Sequence, residues 1–166
     1  MQAIIAIGAN LPAPDGTPPL DTCRRAAAAL DGLAGLRRVA VSPFYRSAAW
    51  PDPSAPAFVN GAVLLEGAAE PEAVLAALHE MEARAGRVRS VPNAPRPLDL
   101  DLIAMGALVV RSAALTLPHP RAHERAFVMV PVADVAPGWV HPLLGRTAAQ
   151  IAAGLDRAGL SRIDPG

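Results

Sequence analysis

The order of elements legible in the sequence is β-α-β-β-α-β, which predicts an α+β fold of the ferredoxin-like kind, an antiparallel sheet with helices packed on one side and C-terminal additions. Three observations carry this. Apolar runs of strand length, above all Phe58–Glu66, alternate in order with alanine-rich stretches of helical length. Gly and Pro clusters punctuate the junctions. No internal repeat or low-complexity linker interrupts the chain, and 166 residues suit one domain spanning 1–166 with a single substantial core.

Taken in order, Gln2–Ile7 reads as a short buried strand ending at Gly8-Ala-Asn10-Leu. A loop over Pro12–Pro19 follows, and Pro18 or Pro19 suits the first turn of a helix over Leu20–Leu33. Leu36–Tyr45 is predicted as the second strand, with Val39, Val41 and Pro43 alternating against small or polar residues. The proline-rich stretch Arg46–Ala57, which contains Trp50, is predicted as loop. Phe58–Glu66 is nearly continuous in apolar character, as a central strand is. Val74, Leu75, Leu78, Met81 and Glu82 fall at helical spacing within Glu70–Ala85, and acidic residues crowd its start. After the arginine-rich loop Gly86–Pro97 comes a strand over Leu98–Met105, then a short one at Leu108–Val110. Leu115–His123 is predicted as loop, with helices over Arg125–Val135 and Ala148–Ala158.

The bulk numbers exclude several function classes. Net charge is zero, which argues against a broad nucleic-acid or anionic-membrane surface. No apolar run reaches the ~20 residues of a membrane span, and no signal peptide is evident, so the cytoplasm is the expected compartment. All fifteen basic residues are arginine, which rules out a Walker-type Gly-Lys-Ser/Thr loop and Schiff-base chemistry. The single cysteine, Cys23, lies in a helical pattern and reads as a packing residue; it cannot form an internal disulfide.

Chemistry concentrates between Arg87 and Ile103. Arg87, Arg89 and Arg96 precede a strand carrying Asp99 and Asp101. Alternation along a strand puts Leu98, Leu100 and Leu102 on one face and both aspartates on the other. Their side chains then stand roughly 7 Å apart and repel unless a cation holds them. Carboxylates suit a hard ion such as Mg²⁺ shared with phosphates, and arginines offer forked donors of the shape phosphate oxygens need. The alternative is a solvated strand face on which Arg96 forms a surface ion pair worth ~0–1 kcal/mol.

Several ordered motifs go further. They are Ile7-Gly-Ala-Asn-Leu11, Ser42-Pro-Phe-Tyr-Arg-Ser47, Phe58-Val-Asn-Gly-Ala62, Glu82-x4-Arg87-Val-Arg89, Pro95-Arg-Pro-Leu-Asp-Leu-Asp101 and Leu117-Pro-His-Pro-Arg-Ala-His-Glu-Arg-Ala-Phe127. Together they make the chain resemble the 6-hydroxymethyl-7,8-dihydropterin pyrophosphokinases over almost its whole length. The resemblance implies Mg²⁺- and ATP-dependent transfer of a diphosphate to a reduced pterin alcohol, giving AMP and the pterin diphosphate used in folate synthesis. It implies that Asp99 and Asp101 bridge two Mg²⁺ ions, and that Arg89 and Arg96 act on the phosphates with them. Glu82, Arg87, Leu102, Thr116, His119 and Arg125 fall on the nucleotide side. Phe58 and Phe127 match positions that sandwich the pterin, and Asn60 and Ser47 match residues that read its edge. Asn10 supports the same pocket. The loops 12–19, 46–57 and 86–97 are expected to close over the site. The expected partners are ATP and the pterin, without nucleic acid or membrane, and a monomer is the expected state.

Each residue has a plainer reading as well. The phenylalanines fill core, His119 caps loop carbonyls, and any one arginine is surface solvation. An asparagine in so apolar a strand as Phe58–Glu66 is costly without partners, which favours a ligand for Asn60. His119 and His123 mimic a helical metal pair, but Pro118 and Pro120 forbid a regular helix there, so zinc is rejected. Three stretches depart from the family's usual pattern: Asn93 in the arginine loop, Ala114, and Ala48-Ala-Trp-Pro51. Two other function classes compete, a non-catalytic nucleotide- or pterin-binding relative and an RNA-binding module of the same fold; neutral charge argues against the second.

Overall fold

The computed structural model describes residues 1–47, 57–86 and 97–163. Eight strands and four helices follow in the order β1 (Gln2–Ala9), α1 (Pro19–Ala29), β2 (Arg37–Val41), β3 (Tyr45–Ser47), β4 (Phe58–Glu66), α2 (Pro71–Arg84), β5 (Asp99–Met105), β6 (Val110–Arg111), β7 (Thr116–Leu117), α3 (Ala126–Val135), α4 (Ala148–Ala153) and β8 (Leu160–Arg162). The main sheet runs β5-β1-β4-β3-β8, with β2 also pairing β4, and every pair is antiparallel. Strands β6 and β7 form a separate small ladder. This is the predicted ferredoxin-like arrangement, with β1 and β4 at its centre.

The two helices of the predicted unit, α1 and α2, cover one face of the sheet as expected, and the C-terminal additions α3 and α4 cover the other. Cys23, Ala26 and Ala27 of α1, its cap Leu30, and Val74 and Leu78 of α2 pack on Ile5, Ile7, Val63, Leu65, Leu100 and Leu102. Val128, Met129, Val132 and Val135 of α3, with Ile151 and Ala152 of α4, pack on Ile4, Ala62, Leu64 and Ile103 from the other side. Alternation along β1 feeds the two cores in turn, Ile4 and Ala6 to one and Ala3, Ile5 and Ile7 to the other. Burial raises the Cys23 thiol to about 12, so it stays protonated and serves packing as expected.

The predicted second strand divides. Its last ladder bond is Ser42 N–H to Ala62 O at 2.9 Å; Pro43 then has no N–H to give. The Ser42 hydroxyl substitutes for the lost pairing, accepting Ala62 N–H at 2.8 Å and donating to Pro43 O at 2.7 Å. Phe44 folds over Gly61, where a Cβ would stand 2.6 Å from its ring carbons, and Tyr45 re-enters the sheet as β3. The register of β2 shifts between Arg38 and Ala40, so Val39 is the extra residue of a bulge, and Val39 and Val41 face solvent, not the core. The C-terminal helix stops at Ala153, five residues early, with Gly154 as its cap; Thr147 and Gln150 close its start as a capping box. Strand β8, which has no apolar period to announce it, follows Gly159 (φ 78°) and extends the sheet beside β3. No helix among the described residues is long and apolar enough to cross a membrane.

Candidate active site

Strand register gathers the predicted residues. Asp99, Gly8, Asn60 and Tyr45 lie in one row across β5, β1, β4 and β3; Asp101, Ala6 and Ala62 form the next row. Ser47 opposes Phe58 beyond Asn60. By alternation all of these side chains belong to the face that α3 covers. Both aspartates are half-buried, while their neighbours Leu98, Leu100 and Leu102 enter the opposite core as predicted.

The floor between the aspartates and Asn60 is made of small residues. Neighbouring strands lie about 4.8 Å apart, so Asp99 and Asn60 stand about 10 Å apart across Gly8. A Cβ on Gly8 would reach within 3.3 Å of Asn60 Oδ1, so glycine leaves that oxygen room. Asn60 is buried, and its Nδ2 donates to Ser47 Oγ at 2.9 Å, which fixes the amide's orientation. Asn10 is buried at the end of β1. Phe58 is half-buried on β4, and Phe127 stands exposed on the first turn of α3. Neither is simple core filling. The Arg125 guanidinium carbon lies 5.7 Å from the Phe127 ring centroid, a cation–π distance.

His119 is tied to β5, its N–H donating to Ile103 O at 2.8 Å. Its Nδ1 accepts Arg121 N–H at 3.2 Å, so in the neutral ring the proton sits on Nε2. Burial holds its pKa below the usual histidine value, helped by Arg125 and Arg121 and opposed by Asp99. Asp99, His119, Arg121 and Arg125 thus share one electrostatic neighbourhood. His123, by contrast, packs its ring against His141, with centroids 5.6 Å apart.

A cavity of about 270 Å³ opens along the outer edge of β5. Asp101, Leu100 and Leu102 form one wall, Leu75 and His79 of α2 another, and Ser112–Thr116 with His119 a third. Leu102, Thr116 and His119 of the predicted nucleotide side therefore meet at Asp101. The sequence reading missed Gly8 and His79; His79 is three residues before Glu82, one turn away on the same helix. Glu82, expected on the nucleotide side, lies on the inner face of α2. It is fully buried, and its carboxylate Oε2 accepts Leu100 N–H at 2.8 Å.

The three predicted arginines of the loop, Arg87, Arg89 and Arg96, lie outside the described residues, as do Asn93 and Ala48-Ala-Trp-Pro51. The residues that flank the arginine stretch do lie together: a Cβ on Gly86 (φ 95°) would stand 2.8 Å from Pro14 Cγ and 4.0 Å from Pro97 Cγ. The loop 12–19 therefore touches the point at which that stretch leaves α2.

Three comparisons bear on this geometry. A family model described as 7,8-dihydro-6-hydroxymethylpterin-pyrophosphokinase matches residues 4–137, which include every described candidate residue. The 2-amino-4-hydroxy-6-hydroxymethyldihydropteridine pyrophosphokinase of Synechocystis sp. is 37% identical over 99% of this chain and 81% of its own. The protein of that name from Methylorubrum extorquens is 34% identical over 98% of this chain and 99% of its own. In the crystal structure of Plasmodium falciparum HPPK-DHPS with pteroate, a matching fold covers 92% of this chain, with a TM-score of 0.70 at 10% identity. This chain spans 44% of that longer protein, and at such identity the likeness speaks for the fold alone. A full-length match in sequence, an aspartate pair beside a cavity at the strand edge and a shared fold leave one assignment: the chain belongs to the 7,8-dihydro-6-hydroxymethylpterin-pyrophosphokinase family.

Proposed function

We infer that the chain carries out its family's reaction, diphosphate transfer from ATP to the hydroxymethyl group of 6-hydroxymethyl-7,8-dihydropterin in folate synthesis, on the sheet face shared by Asp99, Asp101 and Asn60. The observation that carries this placement is the row Asp99–Gly8–Asn60, which sets a carboxylate pair and a buried amide about 10 Å apart over a floor of Gly8 and Ala6. ATP takes the cavity at the edge of β5, with its phosphates toward Asp101, His119 and Arg125. The pterin lies between Phe58 and Phe127, and Asn60 and Ser47 meet its polar edge. Phe127 and Arg125 are adjacent in that scheme, so one turn of α3 touches both substrates.

Two half-buried carboxylates on one strand face are hard oxygen donors of the kind Mg²⁺ takes, and Asp99 and Asp101 would hold two such ions. Bound there, Mg²⁺ would neutralise charge on the transferred group and favour in-line attack. His119, kept neutral, can donate from Nε2 to a phosphate oxygen without adding a second positive charge beside Arg125. Arg89 and Arg96 complete the phosphate cradle, and Arg87 joins them on the nucleotide side. Closure of the loops 12–19, 46–57 and 86–97 would exclude water and prevent idle ATP hydrolysis. ATP use fits a cytoplasmic place of work. All the named residues come from one chain, which fits a monomer of one domain; light scattering on the purified protein checks that state.

The test is AMP release from ATP with and without the pterin alcohol, in Mg²⁺ and after chelation. Pterin- and Mg²⁺-dependent AMP supports the reading. ATP binding without AMP formation replaces it with a binding relative.

A further inference from the structure

Glu82 occupies an unusual place for a carboxylate. It is fully buried on α2, among side chains that anchor the helix to the sheet: Val74 and Leu78 of α2 pack in the same core as Leu98, Leu100 and Leu102. Glutamate is almost never fully buried unless it is partnered. One partner is the backbone N–H of Leu100, 2.8 Å from Oε2. Leu100 is the residue between Asp99 and Asp101, and it pairs with Ile7 on β1. No strand of the sheet lies on the other side of β5 among the described residues. The N–H groups that alternate outward from such an edge have no ladder partner, and a buried one left unpaired is costly. Glu82 supplies the missing acceptor. The described residues lining the cavity include Leu100, Asp101 and His79 but not Glu82.

We propose that Glu82 is a positioning residue for the Asp99–Asp101 pair. Its carboxylate clamps the Leu100 N–H on the open edge of β5 and so fixes the pleat from which both aspartate side chains diverge. The clamp transmits the rigidity of α2 to a strand edge that no neighbouring strand stiffens. This rests on the reading of Asp99 and Asp101 as the pair that holds Mg²⁺. Nothing in it requires Glu82 to touch nucleotide.

The experiment compares Glu82→Ala and Glu82→Gln with Asp101→Asn in the full chain. Gln keeps an acceptor oxygen for Leu100 N–H and loses the charge; Ala loses both. Three quantities are read: hydrogen exchange of the Leu100 amide without ligands, the Mg²⁺ concentration for half-maximal ATP binding followed by a fluorescent nucleotide, and KM for ATP at saturating Mg²⁺. The expected result for Glu82→Ala is faster Leu100 exchange and a Mg²⁺ requirement raised ~10–100-fold, the range for removing a residue that orients a metal ligand. Saturating Mg²⁺ should restore KM for ATP, and Glu82→Gln should lie close to the unmodified protein on all three. The proposal is overturned if Ala and Gln raise KM for ATP alike while the Mg²⁺ requirement and Leu100 exchange stay put, which is the signature of direct nucleotide contact. If Glu82→Ala does not fold, Glu82→Gln decides: normal Leu100 protection with a normal Mg²⁺ requirement supports the clamp, and a loss of either refutes it. An unchanged Mg²⁺ requirement in Asp101→Asn would instead sink the metal assignment itself, while Leu100 exchange would still report whether Glu82 holds the strand.

Discussion

A strand places side chains two residues apart on one face, so the facing of Asp99 and Asp101 follows from the sequence, as does their separation from the leucines between them. Both are half-buried; Asp99 shares its neighbourhood with His119, Arg121 and Arg125, and Asp101 lines the cavity with His119. Replacing either aspartate by alanine should leave the fold intact and lower turnover by ~10³-fold or more, since each would hold the ions that neutralise the transferred group. Circular dichroism and steady-state kinetics check the two halves of that statement, and normal turnover in either variant removes the metal role. Asn60 makes a different prediction. It lies on the other side of Gly8, with its amide oriented by Ser47. Asn60→Ala should raise KM for the pterin by ~10–100-fold, the usual effect of deleting a buried hydrogen-bonding partner, and leave KM for ATP unchanged. Glu82 marks the limit of reading at this scale. Helical spacing puts it on the buried side of α2, but what its carboxylate reaches depends on how α2 docks against β5, and no local pattern encodes that.

At the scale of elements, both ferredoxin-like halves were legible because apolar period and turn residues agree in β1, α1, β4, α2 and β5. The misreadings have physical causes. The single strand expected over Leu36–Tyr45 divides because the bulge at Val39 shifts its register and the missing N–H of Pro43 ends it. Strand β8 is three residues long and gains its place by pairing with β3, a contact far away in the chain. The kink between β2 and β3 is testable at Gly61. A methyl group there would meet the Phe44 ring at 2.6 Å, so Gly61→Ala should destabilise the fold by ~1–3 kcal/mol, measured by urea unfolding. A second test lies in the turn after α3. His141 is buried, and its Nδ1 accepts the N–H groups of Leu143 and Leu144, both at 3.2 Å. Burial, with a smaller contribution from His123, holds its pKa below the usual value. Between the folded and unfolded pKa values the unfolded chain binds more protons, so stability is full above about pH 6.5 and is lost as pH falls through the folded value. His141→Asn retains an acceptor for the turn without that titration. Its urea midpoint should fall less between pH 7.5 and 5.5 than that of the unmodified chain.

For the molecule as a whole, the layered build separates what holds the fold from what performs the reaction. The two cores lie on opposite faces of the sheet, drawing on Ile4 and Ala6 for one and Ile5 and Ile7 for the other, whereas Asp99 and Asp101 are half-buried on β5. The two helices of the β-α-β-β-α-β unit share one face as expected, but the surface that α3 covers was not legible, because Val128, Met129, Val130, Val132 and Val135 are all buried and that pattern does not name a partner. Site and scaffold should therefore respond largely independently to mutation, with Glu82 as the exception that ties the buried side of α2 to the aspartate strand. A ligand that binds only the folded chain stabilises it by about 2.7 kcal/mol at a hundred times its Kd. For a chain of this size ~1 kcal/mol corresponds to roughly 2–4 °C in Tm, so saturating ATP, Mg²⁺ and a non-reacting pterin analogue together should raise Tm by ~5–10 °C. In Asp99→Asn and Asp101→Asn the ligand-free Tm should stay within ~2 °C of the original, because half-exposed polar substitutions outside the core change stability little. Most of the Mg²⁺-dependent part of the ligand shift should vanish. A variant that loses ligand-free stability by as much as it loses the shift would mean that the aspartates hold the fold as well, and that site and scaffold are not separate in this protein.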